Sequence, residues 1–319
     1  MSTASRPFLS IVSPVYRAEK MIDELVRRIV ASVTPITSDF EIILVEDRGP
    51  DDSWSRIEAA AAADRRVRGI RLSRNFGQHL AITAGLEHSS GEWVVVMDCD
   101  LQDQPEEIPG MLAQAQRQGQ DLVLARRVER QDTWFKRFAS WSFYRTLTYL
   151  TETHQDPATA NFGVYNRRVI EAVLRMRESI RYFPTMVRWV GFARGTRDVA
   201  HAERAEGTSS YNLRRLMHLA LDIILSYSDK PLRLTIKLGV LIALSSGVFA
   251  LIVLLRYLLG SIVVQGYTSL IISLWLFSGL LLATLGMVGL YVGRTFEQVK
   301  NRPLYFVDCL TDPTAPASH

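Results

Sequence analysis

Cysteine is nearly missing: the 319 residues contain two, Cys99 and Cys309. They are too few and too far apart for a disulfide framework, which agrees with a reducing compartment. Glycine fingerprints for phosphate are missing as well. No Gly-x-Gly-x-x-Gly follows the first apolar run, and no Gly-x4-Gly-Lys-Ser/Thr occurs anywhere, so Rossmann dinucleotide binding and P-loop phosphate binding lack their signatures. Met1 to Pro7 has no apolar core of a signal peptide, so no cleaved leader is expected. There is no internal repeat, no low-complexity tract and no aromatic-basic module for nucleic acid. The formal charge of +4 is therefore not a sign of a nucleic-acid partner. Charge itself is absent from two stretches, 238–255 and 268–292.

Each uncharged stretch approaches or exceeds the roughly 20 residues that cross a hydrocarbon core of about 30 Å. They are expected to be two transmembrane helices; two buried core helices are the bland alternative. The segment between them, Arg256 to Tyr267, carries a single positive charge. Arg214, Arg215, Lys230, Arg233 and Lys237 precede the first stretch, and Arg294, Lys300 and Arg302 follow the second. The positive-inside bias then puts both flanks and the N-terminal domain in the cytoplasm, with the basic residues against anionic headgroups. Leu213, Leu216, Met217, Ala220, Leu221, Ile224 and Leu225, opposed by Arg214, Arg215, His218 and Asp222, predict an amphipathic helix over Asn212 to Tyr227. It suits the headgroup plane, or else packing on the soluble domain.

The N-terminal half alternates strand and helix. Strands are expected at Phe8 to Val15, Phe40 to Val45, Val67 to Leu72 and Trp93 to Met97, with helices at Met21 to Val33, Ser53 to Ala62 and Leu80 to Glu87. This βαβαβαβ order calls for an α/β fold, a mostly parallel sheet with helices on both faces. Ligands of such sheets bind beyond the carboxyl ends of the strands.

Polar residues gather at those ends. Asp98-Cys99-Asp100 directly follows the apolar run Trp93 to Met97, and two carboxylates one residue apart at a strand end suit a divalent cation serving a substrate diphosphate. Ser13-Pro14-Val15-Tyr16 follows the first strand and Glu46-Asp47-Arg48-Gly49-Pro50-Asp51-Asp52 the second. A carboxylate there can accept from a ribose hydroxyl or a base imide, and a tyrosine can cover a base face. Acidic residues after strands also serve as turn formers and helix caps, and Asp52 or Ser53 can cap the next helix. Asp103 suits a plain turn before Pro105. His79, His154 and His201 fit no metal-ligand spacing.

Taken together, Ser-Pro-Val-Tyr, Val45-Glu46-Asp47, Asp98-Cys99-Asp100-Leu101-Gln102 and Pro105-Glu106-Glu107-Ile108-Pro109 occur in the order of family 2 glycosyltransferases of GT-A fold. With the paired C-terminal spans, the whole chain resembles the polyprenyl-phosphate glycosyltransferases. Arg74 to His79, Arg130 to Phe135 and Arg302 to Val307 bring it nearest the branch that moves a formamido-arabinose. The resemblance implies a GT-A domain over 1–206, an interfacial amphipathic helix over 207–232, two transmembrane helices within 233–293 and a cytoplasmic tail over 294–319. It assigns Pro14, Tyr16, Glu46 and Asp47 to the nucleotide, and Asp98, Asp100 and Gln102 to Mg²⁺ or Mn²⁺ and the diphosphate. Arg127, Lys136, Arg137 and Ser140 lie where the family holds the acceptor phosphate, with Asp98, Asp100 and Arg127 the catalytic residues. A solvated basic face is the alternative for each of these cations.

The implied enzyme is a multi-pass protein of the bacterial inner membrane, often a homo-oligomer. It would move one sugar from a UDP- or GDP-linked donor to undecaprenyl phosphate or a similar lipid, with inversion, for envelope glycans or lipid A modification. Several residues depart from the pattern. Arg17-Ala18 stands for Asn-Glu, Glu46 for aspartate, Asn161 for an acidic residue, and Glu206 to Tyr211 lacks the lysine of its counterpart. A processive polysaccharide synthase is a rival, but Thr185 stands where its Gln-x-x-Arg-Trp motif has glutamine before Arg188-Trp189. A silent membrane scaffold or lipid-carrier binding protein is a second rival, motivated by Asn161 and Ser210.

Overall fold

In a computed structural model of the chain, residues 6–127, 159–176, 178, 181–199, 230–259 and 266–311 are described. They divide into two compact units, one carrying all eight described strands and the other the two long C-terminal helices.

The first unit is built on the alternation expected. β1 (Leu9–Val15), β2 (Phe40–Glu46) and β4 (Trp93–Val96) are buried along their whole length, and β3 (Val67–Leu72) mostly so. Unbroken apolar strands of this kind need cover on both faces. The helices α1 (Ile22–Val33), α2 (Ser53–Ala63) and α3 (Gln78–Glu87) connect them. In α1 the buried residues Ile22, Leu25, Ile29 and Val33 recur at helical spacing, and Pro35 stops the helix soon after. A 3₁₀ turn at Pro105–Glu107 leads into α4 (Ile108–Gln118), then β5 (Leu122–Arg127). After residues outside the description come β6 (Thr159–Asn166), α5 (Arg167–Arg175), α6 (Phe183–Trp189) and β7 (Arg194–Val199). α1 packs on α2 and α4, while α3 packs on α5 and α6, giving the two helical layers.

The sheet order is β7-β5-β6-β4-β1-β2-β3-β8. β1 pairs in parallel with β2 and β4, β2 with β3, and β5 with β7; β6 is antiparallel to β4 and β5. The sheet is thus mixed. Its strand order reverses at β1, whose chain neighbours run outward on one side while β4 lies on the other. That reversal opens a crevice between the loops after β1 and β4, where ligands of α/β sheets bind.

β8 (Val307–Leu310), which the sequence put in a tail, is one of the two edge strands, antiparallel to β3 with Ile70 opposite Leu310 and Leu72 opposite Val307. The Gly69 N–H donates to Thr311 Oγ1 at 2.6 Å and the Ser73 N–H to the Phe306 carbonyl at 2.9 Å. Arg48 and Asp308 form an ion pair at 2.6 Å, and the Tyr305 hydroxyl donates to Glu87.

At the amino end of the sheet Glu41 collects a network. It accepts from the Ser10 hydroxyl at 2.7 Å, the Ser90 N–H at 2.7 Å, the Ser90 hydroxyl at 2.9 Å and Arg68 at 2.8 Å. Burial alone would push this carboxyl up, but the hydrogen bonds from Ser10, Ser90 and Arg68 together hold it below its ordinary value. On the opposite helical layer α3 approaches the sheet through Gly85, where a Cβ would come within 2.3 Å of Val12 Cγ1 and 3.0 Å of Val45 Cγ2. Both valines are fully buried and branched, so neither can swing aside. Gly85→Ala is expected to lower stability by about 1–3 kcal/mol, read as a lower midpoint in thermal or denaturant unfolding. An unchanged midpoint would contradict the close packing of α3.

The second unit holds α7 (Lys230–Leu258) and α8 (Tyr267–Val299). Within α8, Leu276–Val299 has a mean hydropathy of 1.8 with none of it buried, and it is the one stretch among the described residues long and apolar enough to cross a bilayer. The sequence expected a second crossing over 238–255, which falls within α7. The amphipathic helix expected at 212–227 lies outside the described residues.

Candidate active site

Three strand-end loops converge on the crevice, and each carries a non-glycine residue of positive φ: Arg17 at 54° after β1, Arg48 at 52° after β2 and Leu101 at 60° after β4. Such conformations cost energy and persist where neighbouring contacts hold them. Those contacts are visible here. The Ala18 N–H donates to Ser53 Oγ at 3.1 Å, the Glu19 N–H to Asp51 at 3.2 Å and the Asp52 N–H to Glu19 at 3.0 Å. The Ser53 hydroxyl donates to Asp51 at 2.8 Å, so Ser53 ties the first two loops together, and Asp52 makes no side-chain cap on α2. The Asp47 N–H reaches the Val15 carbonyl at 3.0 Å.

The loop after β4 is a closed turn. The Met97 N–H still pairs with the Val12 carbonyl at 3.1 Å, after which the Asp98 N–H donates to Asp103 at 3.2 Å and the Gln102 N–H to Asp100 Oδ1 at 3.2 Å. Asp103 is buried and turns the loop, as its place before Pro105 suggested. Asp98, Asp100 and Gln102 are half-buried at the mouth of the crevice. Between the two acids Cys99 points inward, where burial pushes its thiol up to about 12, beside the Tyr16 main chain. Cys99 packs against the hydrophobic core. Tyr16 is 44% exposed at the end of β1.

Glu46 and Asp47 are placed differently from Tyr16. They are 1% and 3% exposed. Glu46 accepts from the Gly49 N–H and stands 3.2 Å from Arg71 Nε, an ion pair without hydrogen-bond alignment. Asp47 accepts from the Phe76 N–H at 2.7 Å and the Gly77 N–H at 2.8 Å, in the turn after β3. Burial raises its carboxyl above the ordinary value, against the two N–H bonds, with Glu46 adding to the rise.

That turn brings in a residue that sequence reasoning passed over. Gly77, at φ 97°, starts α3 directly, and the Gln78 side-chain amide donates to Asp98 Oδ1 at 2.6 Å. Next to it the His79 ring meets Tyr182 edge-on at 4.7 Å, and burial pushes the imidazole down to about 4, leaving it neutral at physiological pH. On the other flank Asn161 and Arg188 line a small cavity with Leu124, Tyr165 and Phe183. Arg127 ends β5, opposite Val199 of β7. Lys136, Arg137 and Ser140, expected at the acceptor phosphate, lie outside the described residues, as do His154, His201 and Ser210.

Among the described residues no three His, Cys, Asp or Glu side chains cluster as a self-sufficient metal site. Two carboxylates and an amide oxygen are nevertheless hard oxygen donors that suit Mg²⁺ or Mn²⁺ when a bound phosphate completes the coordination.

Residues 10–174 match the family model described as Glycosyl transferase family 2. A Pseudomonas aeruginosa protein named undecaprenyl-phosphate 4-deoxy-4-formamido-L-arabinose transferase is 38% identical over 318 residues, 97% of this chain and 92% of its own. An uncharacterized glycosyltransferase of Synechocystis is 35% identical over 303 residues, 95% of each chain. Among solved structures, glucosyl-3-phosphoglycerate synthase from Mycobacterium tuberculosis with Mn²⁺, UDP-glucose and phosphoglyceric acid aligns with a TM-score of 0.49 at 16% identity, over 69% of this chain and 78% of that one.

Proposed function

The chain belongs to glycosyl transferase family 2, and from that premise we propose that it moves one sugar from a UDP- or GDP-linked donor to undecaprenyl phosphate or a similar polyprenyl phosphate. The observation that carries this reading is the Asp98 to Asp103 turn at the sheet's reversal point, facing the loop of Pro14 and Tyr16. Tyr16 covers the base, with Pro14, Glu46 and Asp47 framing its pocket. Asp98, Asp100 and Gln102 are the residues that would hold a divalent cation, and its chemistry there would be to offset the charge of the nucleoside diphosphate.

The acceptor is already an ionised phosphate at neutral pH, so it needs positioning and charge compensation more than a general base. Arg127, with Lys136, Arg137 and Ser140, supplies that. A phosphate oxygen forms the new bond to the anomeric carbon from the face opposite the nucleotide as the old carbon–oxygen bond breaks, which inverts configuration. Identity to relatives named for formamido-arabinose transfer is close to that for uncharacterized ones, 38% against 35%, so the reading stops short of the sugar.

Membrane attachment through two crossings is part of the proposal. β8 belongs to the same sheet as β1 to β7, so the chain leaving after Val199 returns to its starting domain by Val307. Any crossing between those points must occur in pairs. With α8 as one, α7 is the other, and the charge bias favours a cytoplasmic active site. The test is to supply the full chain in lipid discs with labelled UDP- and GDP-sugars and undecaprenyl phosphate. A single glycolipid is expected; polymer would favour a processive synthase, and no turnover of any donor a silent scaffold.

A further inference from the structure

We propose that Gln78 is a positioning residue for Asp98, and that Asp47 holds the turn that delivers it. The proposal rests on Asp98 being a cation ligand. A side chain half open to solvent at a strand end has free torsions unless something holds it, and a ligand carboxylate must be held before the cation arrives. The Asp98 main chain is held through its N–H to Asp103. Its side chain is held by the Gln78 amide at 2.6 Å, the short, charge-assisted kind of bond. A carboxylate oxygen has two lone pairs, so accepting from Gln78 does not bar Asp98 from ligating a cation.

Gln78 is itself exposed, and its position depends on the turn before it. Asp47 spends one oxygen on the Phe76 N–H and the other on the Gly77 N–H. Gly77 lies at φ 97°, a conformation in which any side chain is strained. Ends of three strands are thus joined in series: the carboxylate after β2, the turn after β3 and the carboxylate after β4. In this arrangement Asp47 acts on the metal at one remove.

The test measures Mn²⁺ binding to the full chain, by the electron paramagnetic resonance of free Mn²⁺, for the ion alone and with UDP or GDP added. Gln78→Leu keeps the side-chain bulk and removes the donor. It is expected to weaken Mn²⁺ binding about 10- to 100-fold while the unfolding midpoint and metal-free nucleotide binding stay put. Asp47→Asn should weaken it in the same direction, and the double variant should be no worse than the weaker single, as for two members of one chain. Wild-type affinity in Gln78→Leu, with binding abolished in Asp98→Asn, overturns the role of Gln78 alone. Additive losses in the double variant overturn the part given to Asp47. No Mn²⁺ binding by the wild type in any of the three mixtures overturns the metal site itself and this proposal with it.

Discussion

Asp100→Ala is expected to lower sugar transfer about 100- to 1,000-fold, and EDTA to lower the wild type as far. A cation on the leaving diphosphate supplies several kcal/mol of charge stabilisation, and each 1.36 kcal/mol is about tenfold in rate. With no group of three His, Cys, Asp or Glu able to hold a cation among the described residues, loss of one acid halves the carboxylate pair, so little affinity should survive. The substitution should leave the fold alone. Asp100 is half-buried, and the hydrogen bond it accepts from the Gln102 N–H at 3.2 Å is long and local to the turn. Turnover in Mg²⁺, in Mn²⁺ and in EDTA, set beside the unfolding midpoint, separates the chemistry from folding. Full activity in EDTA would remove the cation from the mechanism.

The second large effect is on stability. Glu41→Ala should cost about 3 kcal/mol, because it leaves the Ser10 hydroxyl, the Ser90 N–H and the Arg68 guanidinium without their acceptor at the buried end of the sheet. For a unit of this size that corresponds to a fall in midpoint of roughly 6–12 °C. The effect should depend on pH in a fixed direction. The folded carboxyl is held below its ordinary 4.5, so its contribution is complete above that value and is lost as pH falls through the lowered one. The gap between wild type and variant should therefore be widest near neutrality and close in acid. A gap that is constant from pH 7 to pH 3 would mean that the ionised carboxylate is not what the network needs.

The parallel half of the fold was legible because its signals are local. Val67–Leu72 agrees residue for residue with expectation, and β1, β2, β4, α1 and α2 agree to within a residue at either end. α3 starts at Gln78 and not at Leu80 because apolar periodicity cannot see a first turn made of polar side chains. β6 and β8 were not read as antiparallel strands. β8 is only Val-Asp-Cys-Leu, and its pairing is decided by an edge that lies more than two hundred residues earlier in the chain.

The site divides along the same line. Asp98, Asp100 and Tyr16 stand at the mouth of the crevice because a polar residue just past a buried strand has few other places to go. Glu46 and Asp47 occupy equivalent sequence positions yet turn inward. Nothing in the spacing distinguishes a carboxylate facing a ligand from one accepting main-chain N–H groups. Gln78 was hidden for a related reason: its partner lies on another strand's loop, and the signal available was the glycine that makes the turn before it.

The edge strand β8 also sets an order on biosynthesis. It leaves the ribosome only after α7 and α8, so the outer edge of β3 stays unpaired while those two long helices are being made. Arg48 gains Asp308, and Gly69 gains Thr311, only when that last segment arrives. The sheet is thus completed only after the two long helices have been made, and a chain cut short before that step carries an open strand edge.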